Sequence, residues 1–103
     1  MCAAALAAFE ICSDGALLER VLSLGERLMA GLAEVPYVES VRGRGLMIGV
    51  DVSLDALELA RRALLEQRLV VNATGPATIR LEPPLVVTEE QIDQALRRLQ
   101  SLA

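Results

Sequence analysis

The sequence contains no lysine, histidine or tryptophan, and its only aromatic residues are one tyrosine and one phenylalanine. All ten basic residues are arginine, so no side-chain amine is present to form a Schiff base or act as an amine nucleophile. Without histidine, and with only two cysteines, the chain lacks the usual groups for imidazole catalysis and soft-metal binding. We therefore predict no metal ligand in these 103 residues, and any amine chemistry must be supplied from elsewhere.

The sequence also lacks a basic cluster and carries a net charge of −4, which argues against a nucleic-acid partner or an anionic membrane surface. No apolar run is long enough to span a membrane, and the alanine-rich start has no positively charged segment typical of a secretory signal. We expect a cytoplasmic protein. Cys2 and Cys12 lie on one predicted helix, roughly 15 Å apart at 1.5 Å per residue, too far for a disulfide.

What the sequence has in abundance is aliphatic residues. Hydrophobic residues make up 53% of the chain and aromatic residues only 2%, so the core must be packed from Leu, Val, Ile and Ala. A chain of 103 residues is one domain's worth and can bury about two-thirds of its unfolded surface. This composition favours helices packed on a small sheet.

The first predicted helix, Cys2–Cys12, is apolar on nearly every side, with Glu10 as its only charge. Such a helix is typically buried all round. No capping residue precedes it, so we interpret it as the start of a piece whose packing partner lies in preceding sequence. The alternative is an ordinary N-terminal helix lying across the domain's own sheet.

Three further helices are predicted from helical periodicity and capping residues. Ser13 or Asp14 caps the second helix, and Ser53 or Asp55 caps the third. Residues 88–91, Thr-Glu-Glu-Gln, form a capping box that opens the last helix. The predicted buried positions are Leu17, Leu18, Val21, Leu22, Leu24, Leu28, Met29 and Leu32 in the second helix, Leu57, Ala60, Ala63 and Leu64 in the third, and Ile92, Ala95, Leu96 and Leu99 in the last.

Four strands are predicted. Residues 37–42 and 46–52 flank a glycine turn, and 46–52 alternates apolar and other residues as a half-buried strand does. Residues 69–71 and Thr78–Leu81 flank a cluster of turn residues. The predicted order is α-α-β-β-α-β-β-α, an α+β fold with helices on one face of a small, mainly antiparallel sheet.

The most informative stretch is residues 69–87, LVVNATGPATIRLEPPLVV, which carry one charge inside a predicted strand. That charge is Arg80, whose guanidinium, next to the stiff Pro83 and Pro84, can present a fork of donors to a carboxylate or phosphate. The alternative is an arginine on the solvated face of an edge strand, which the pattern alone favours. A phosphate-binding interpretation of Gly43, Arg44 and Gly45 fails because a strand follows them, not a helix N-terminus.

Three segments resemble a known family: CAAALAAFE at the start, VRGRGLMIGVDV at 41–52, and LLEQRLVVNATGPATIRLEPPLVVTEEQIDQAL at 64–96. They are similar to the C-terminal small domain of class III PLP-dependent aminotransferases, and most of all to the acetylornithine and ornithine branch. The similarity covers essentially the whole chain, 1–103. It implies the small-domain fold of fold-type I PLP enzymes.

The resemblance also implies a function. Members of the family are homodimers that use pyridoxal 5'-phosphate (PLP) to move an amino group between an amino donor and 2-oxoglutarate, and acetylornithine aminotransferases serve arginine biosynthesis. The arginine in the I-R-x-x-P-P-L context binds the substrate α-carboxylate, which assigns that role to Arg80. The family's Schiff-base lysine and PLP-binding loops lie upstream of the matching region, so the resemblance implies no catalytic residue and no cofactor-binding residue in this chain. The chain should therefore be inactive alone and should need the large domain as its partner.

Two other functions stay open at this point. A stand-alone α+β module could sense an amino acid or oxoacid through Arg80 without chemistry. A structural association domain could use the apolar first helix, with Leu6 and Phe9 in its contact surface.

Overall fold

The computed structural model describes residues 2–103 and has the predicted α+β fold, with the predicted element order. None of the helices within 2–103 combines the length and the apolar character needed to cross a membrane. The elements are α1 (Cys2–Cys12), α2 (Gly15–Ala33), β1 (Val38–Arg44), β2 (Met47–Val52), α3 (Ala56–Gln67), β3 (Asn72–Gly75), β4 (Thr78–Leu81) and α4 (Glu89–Gln100).

The four strands form one antiparallel sheet in the order β1-β2-β4-β3. The alternation predicted for β2 is confirmed, because Ile48, Val50 and Val52 are buried while Met47 is exposed. Ile79 on β4 joins them on the same face, and burying each such side chain contributes about 1.5–3 kcal/mol. Helices cover this face, and the opposite face of the sheet carries the polar side chains.

Polar contacts fix how the helices pack around the core. The Tyr37 hydroxyl donates a 2.7 Å hydrogen bond to the Leu99 carbonyl oxygen at the end of α4, and burial raises the pKa of Tyr37 to about 12. Arg27 on α2 donates two hydrogen bonds, of 3.0 and 2.8 Å, to the Asp93 carboxylate on α4. This pair lowers the pKa of Asp93 and joins the two helices at the surface.

The capping predictions are confirmed, and the structure decides between the alternatives. Asp14 caps α2 and Asp55 caps α3, each accepting a backbone N–H from the first turn. Thr88 and Gln91 form the predicted reciprocal capping box of α4. An N-cap of this kind stabilises a helix by about 1 kcal/mol.

The β1–β2 hairpin is longer and its turn tighter than the sequence predicts. Strand β1 continues through Arg44, and only Gly45 and Leu46 form the turn. Gly45 has a φ of 58°, in the left-handed region that glycine adopts without steric cost. The boundaries predicted from the turn residues were therefore wrong by one or two positions at this end.

The predicted strand at 69–71 is wrong. Arg68 ends α3 in the left-handed conformation (φ 52°), and the Leu69 N–H donates to the Ala63 carbonyl oxygen at 2.9 Å. Residues 69–71, Leu-Val-Val, therefore form the connection after α3, and strand pairing with β4 begins at Asn72. The β-propensity of these residues is overridden by the helix terminus.

The predicted buried face of α3 is also mostly wrong. The buried residues are Ala56, Leu59 and Ala63, whereas Leu57 and Leu64 are 72% and 53% exposed. The Ala56 N–H donates to the Pro76 carbonyl oxygen at 2.9 Å, which ties the first turn of α3 to the β3–β4 turn. This contact places Ala56 inward and so sets the rotation of the helix.

On α2 the buried stripe is narrower than predicted. Val21, Leu24, Leu28 and Leu32 are buried as predicted. Leu18 and Leu22 are about half exposed, and they line a groove of about 630 Å³ beside the β1–β2 turn.

Helix α1 buries none of its residues. Leu6, Phe9 and Ile11 are between 59% and 68% exposed. The alternative that α1 lies across the chain's own sheet is therefore wrong. Whether another segment covers this apolar helix stays a prediction.

A close backbone contact between α2 and the hairpin generates a stability prediction. A Cβ added at Gly25 would overlap the Gly45 carbonyl oxygen, and backbone cannot move aside as a flexible side chain can. We expect Gly25→Ala to lower the free energy of unfolding by about 1–3 kcal/mol, measured by urea denaturation.

Gly15→Ala is the matched control for this substitution. It lies in the same helix, and an added Cβ would meet nothing within 4 Å. It should be neutral or stabilising by up to about 1 kcal/mol, because alanine is the better helix former. Equal effects of the two substitutions would contradict the proposed close contact.

Candidate carboxylate-binding site

Arg80 lies on an inner strand of the sheet. Strand β4 pairs with β2 on one side and β3 on the other, and the Cα partners of Arg80 are Gly49 and Asn72. The edge-strand alternative for Arg80 is therefore wrong. Its side chain is 46% exposed, on the face opposite the buried Ile79. Arg80 is thus held by rigid backbone on both sides while its guanidinium stays accessible.

Gly49 separates Arg80 from a second arginine. Across β2, the Cα partner of Gly49 on its other side is Arg42. A Cβ built on Gly49 would lie 3.6 Å from Cζ and Nε of Arg42, so the Arg42 side chain lies over the glycine. Arg42 on β1 and Arg80 on β4 therefore lie on the same face of the sheet, on either side of Gly49 on β2.

Asp51 organises the polar face next to these arginines. It accepts hydrogen bonds from Ser40 Oγ (2.7 Å), Arg42 Nη1 (2.7 Å) and Thr78 Oγ1 (2.8 Å). We call these four residues the Asp51 network. The hydrogen bonds from Ser40, Thr78 and Arg42 lower the pKa of Asp51 to about 2. The network links β1, β2 and β4 and commits Arg42 to a structural contact.

Arg80 has a different partner. Its Nε lies 2.8 Å from Oε1 of Glu82, and both side chains are 46% exposed. Residues two apart on an extended chain project from the same face, which brings this pair together. Sequence reasoning missed Glu82, although the i, i+2 spacing of opposite charges was the signal that could have found it.

A small cavity of about 160 Å³ lies beside this ion pair. It is lined by Val70, Val71, Asn72, Arg80 and Glu82. A water molecule occupies about 30 Å³ in the liquid, so the cavity has room for a few waters or a small carboxylate. The arrangement can bind an anion through Arg80.

The glycine-rich segment does not join this site. Gly43 and Arg44 belong to β1, and Gly45 lies in the turn that leads into β2. Because strand β2 follows and not a helix, no helix N-terminus is directed at an anion there, as the sequence predicts.

Comparison with known proteins places the chain in a family. The family model Aminotransferase class-III matches residues 1–102. The chain belongs to the class-III aminotransferases. It is 40% identical over 102 residues to an ornithine aminotransferase of Staphylococcus carnosus, covering 97% of this chain and 26% of that protein. The predicted family resemblance is confirmed.

Solved structures give the same result for the fold. The crystal structure of N-acetylornithine aminotransferase from Stenotrophomonas maltophilia superposes with a TM-score of 0.87 at 28% identity, covering 94% of this chain and 29% of that one. Ornithine aminotransferase from Toxoplasma gondii, whose structure shows PLP at partial occupancy in its active site, has a TM-score of 0.79 at 30% identity, covering 97% and 25%. The chain thus spans about a quarter of the length of the relatives it matches.

The family implies PLP as the cofactor of the full enzyme. This chain cannot tether PLP, because all ten basic side chains are arginine and none supplies the amine that forms a Schiff base with the cofactor.

The low pKa of Asp51 predicts a pH-dependent contribution to stability. The pKa is about 2 in the folded protein and about 3.9 in an unfolded chain. Asp51 therefore stabilises the fold above pH ~4, and this contribution is lost as the pH falls from ~4 to ~2. We expect Asp51→Asn to lower the free energy of unfolding at pH 7, and the difference from wild type to shrink across that pH window.

Urea titrations followed by circular dichroism at pH 7, 4, 3 and 2 measure this difference. Ser40→Ala removes one of the three donors, so its effect should have the same pH profile and a smaller size. A difference that stays constant from pH 7 to pH 2 would show that the Asp51 charge does not stabilise the fold.

Proposed function

We propose that these residues form the C-terminal small domain of a longer PLP-dependent aminotransferase of the acetylornithine and ornithine branch, in which Arg80 binds the substrate α-carboxylate. The observation that carries the proposal is the placement of Arg80: an accessible guanidinium on an inner strand, within the I-R-x-x-P-P-L context, in a chain of the class-III family. The small domain would be inactive by itself.

The geometry supports this role for Arg80 over Arg42 and Arg27. Arg42 is committed to Asp51 at 2.7 Å, and Arg27 makes a two-point contact with Asp93. Arg80, by contrast, makes an ion pair with Glu82 through Nε, at 2.8 Å, and both side chains are 46% exposed. Its planar fork is therefore available for the two oxygens of an external carboxylate.

The proposed role in catalysis is positioning. PLP would supply the electron sink and would be held by residues outside this chain. Arg80 would hold the α-carboxylate of the amino donor, and later that of 2-oxoglutarate, in one orientation. Restricting the substrate in this way lowers the entropic part of the barrier. We further propose a cytoplasmic homodimer acting in arginine biosynthesis, with the large domain of the same polypeptide as the partner of this one.

Kinetics of Arg80 variants in the longer enzyme test the assignment. We expect Arg80→Ala to raise KM for both the amino donor and 2-oxoglutarate and to lower kcat/KM about ten- to a hundredfold, because a charge-assisted hydrogen bond contributes about 1.5–3 kcal/mol. Arg80→Lys should also be impaired, since an ammonium cannot reproduce the two-point contact.

Arg62→Ala provides the control for this test. Like Arg80, Arg62 is partly exposed and paired with a glutamate, Glu66, at 3.3 Å, but it lies on α3 and lines neither this cavity nor the adjoining one. Its loss should leave both KM values unchanged. Unchanged kinetics of Arg80→Ala with both substrates would remove Arg80 from the substrate site.

The exposed helix α1 favours a second candidate function, a protein-association module. Its apolar side chains Leu6 and Phe9 are 59% and 68% exposed, more than a helix of this composition usually leaves in water. The same exposure is expected of a domain whose packing partner lies elsewhere in a longer polypeptide. The two candidate functions therefore predict native proteins of different size.

The intact mass of the endogenous protein, detected with an antibody against this chain, separates the two. The aminotransferase proposal expects a species about four times larger than 11.1 kDa, since the chain spans 26% of its relative from Staphylococcus carnosus. A native species of 11.1 kDa would contradict that proposal and favour the association module.

A further inference from the structure

The chain that follows β4 runs between two spaces. We call residues 83–87, Pro-Pro-Leu-Val-Val, the proline segment. Pro83 and Pro84 line both the groove of about 630 Å³ beside α2 and a cavity of about 310 Å³ beside α4. A backbone with space on two sides is poorly fixed by packing, because few partner atoms surround it. The position of the proline segment therefore depends strongly on its hydrogen bonds.

One long-range hydrogen bond holds the proline segment. Nη2 of Arg20 on α2 donates to the Val87 carbonyl oxygen at 2.7 Å, in a partly buried position. Within 2–103 this is the one hydrogen bond that joins the proline segment to an element distant in the sequence, since the Val87 N–H donates locally, to the Pro84 carbonyl oxygen at 3.0 Å. Because a buried carbonyl without a donor is costly, loss of Arg20 would favour a position of the segment nearer to water.

Val87 is also the residue at which the proline segment meets α4. Its side chain is 7% exposed and lines the 310 Å³ cavity together with Ile92, as a residue before an N-cap does when it packs on the first turns of its helix. Thr88 follows and caps α4. Arg20 therefore joins α2 to the point where the proline segment enters α4.

The other end of the proline segment lies close to Arg80. Arg80 is the last residue of β4 that pairs with β3, and Leu81 is the last that pairs with β2. Strand β4 ends there, so an unrestrained proline segment would allow this end of the strand to fray. A shift of about 1 Å in a group that positions a substrate can lower activity about a hundredfold. A restraint on the proline segment is therefore also a restraint on Arg80.

We propose that Arg20 is a positioning residue of the carboxylate site. By clamping Val87 to α2 it holds the proline segment, and with it the end of β4 that presents Arg80. This inference rests on the proposed substrate role of Arg80. The alternative is that the hydrogen bond from Arg20 to Val87 stabilises the fold and has no effect on carboxylate binding.

Kinetics of Arg20 variants in the longer enzyme separate the two roles. We expect Arg20→Ala to raise KM for the amino donor and for 2-oxoglutarate about three- to tenfold, the range that loss of one hydrogen bond gives, with kcat unchanged. Arg20→Lys should bring both KM values to within about twofold of wild type, because an ammonium can donate the single hydrogen bond that the carbonyl oxygen accepts. Unchanged KM values in Arg20→Ala, or no rescue by Arg20→Lys, would overturn the proposal.

Arg27→Ala is the matched control variant. Arg27 also lies on α2, but its two hydrogen bonds go to Asp93 on α4 and not to the proline segment. Its loss removes a contact between α2 and the rest of the fold that is at least as extensive as that of Arg20. The KM values of Arg27→Ala should match wild type. A rise as large as that in Arg20→Ala would attribute the effect to lower stability and overturn the positioning role.

A chemical readout separates failure of this inference from failure of the proposed function. Phenylglyoxal modifies accessible arginines, peptide mass spectrometry reports the extent at Arg80, and acetate serves as a bare carboxylate that protects it. Arg20→Ala should need an acetate concentration about three- to tenfold higher than wild type for equal protection of Arg80. Equal protecting concentrations would overturn the positioning role. If Arg80→Ala leaves both KM values unchanged, the proposed function fails, and the protection experiment alone decides the role of Arg20.

Discussion

The burial of one face of a four-stranded sheet is the constraint on which the rest of the structure depends. Side chains alternate across a strand, so placing Ile48, Val50 and Ile79 against the helices leaves their neighbours on the opposite face. Gly49 and Arg80 are among those neighbours, and they are Cα partners on adjacent strands. The hydrophobic core and the polar face are therefore products of the same register, and a slip of one residue would destroy both.

The polar face uses its charges in two different ways. Asp51 draws three donors into a network that ties three strands together, and this commits Arg42. Arg80 instead pairs with Glu82 through a 2.8 Å contact from Nε to Oε1, and both side chains are 46% exposed. An exposed pair of this kind contributes little to stability, whereas the Asp51 network joins three strands.

Membership of the class-III aminotransferases gives these features a context. A chain without lysine that spans about a quarter of its relatives cannot hold PLP through a Schiff base. What it can contribute is a rigid sheet that presents an arginine. The proposed function gives this chain the orienting role; chemistry supplied by the cofactor and orientation by the protein is general for cofactor enzymes.

The sequence by itself determined the α+β class, the element order, the capping box of α4 and the alternation of β2, because these depend on neighbouring residues and their period. It also marked Arg80, from its local context, as a candidate carboxylate partner, and that role stays a prediction. Only the tertiary structure decided that residues 69–71 connect α3 to β3 instead of forming a strand, because the hydrogen bond to the Ala63 carbonyl oxygen fixes the end of that helix. It also decided that Leu57 and Leu64 are exposed, because the contact with Pro76 fixes the rotation of the helix. Likewise, the inner position of β4 and the Asp51 network arise from pairing between residues distant in sequence, which no local pattern specifies.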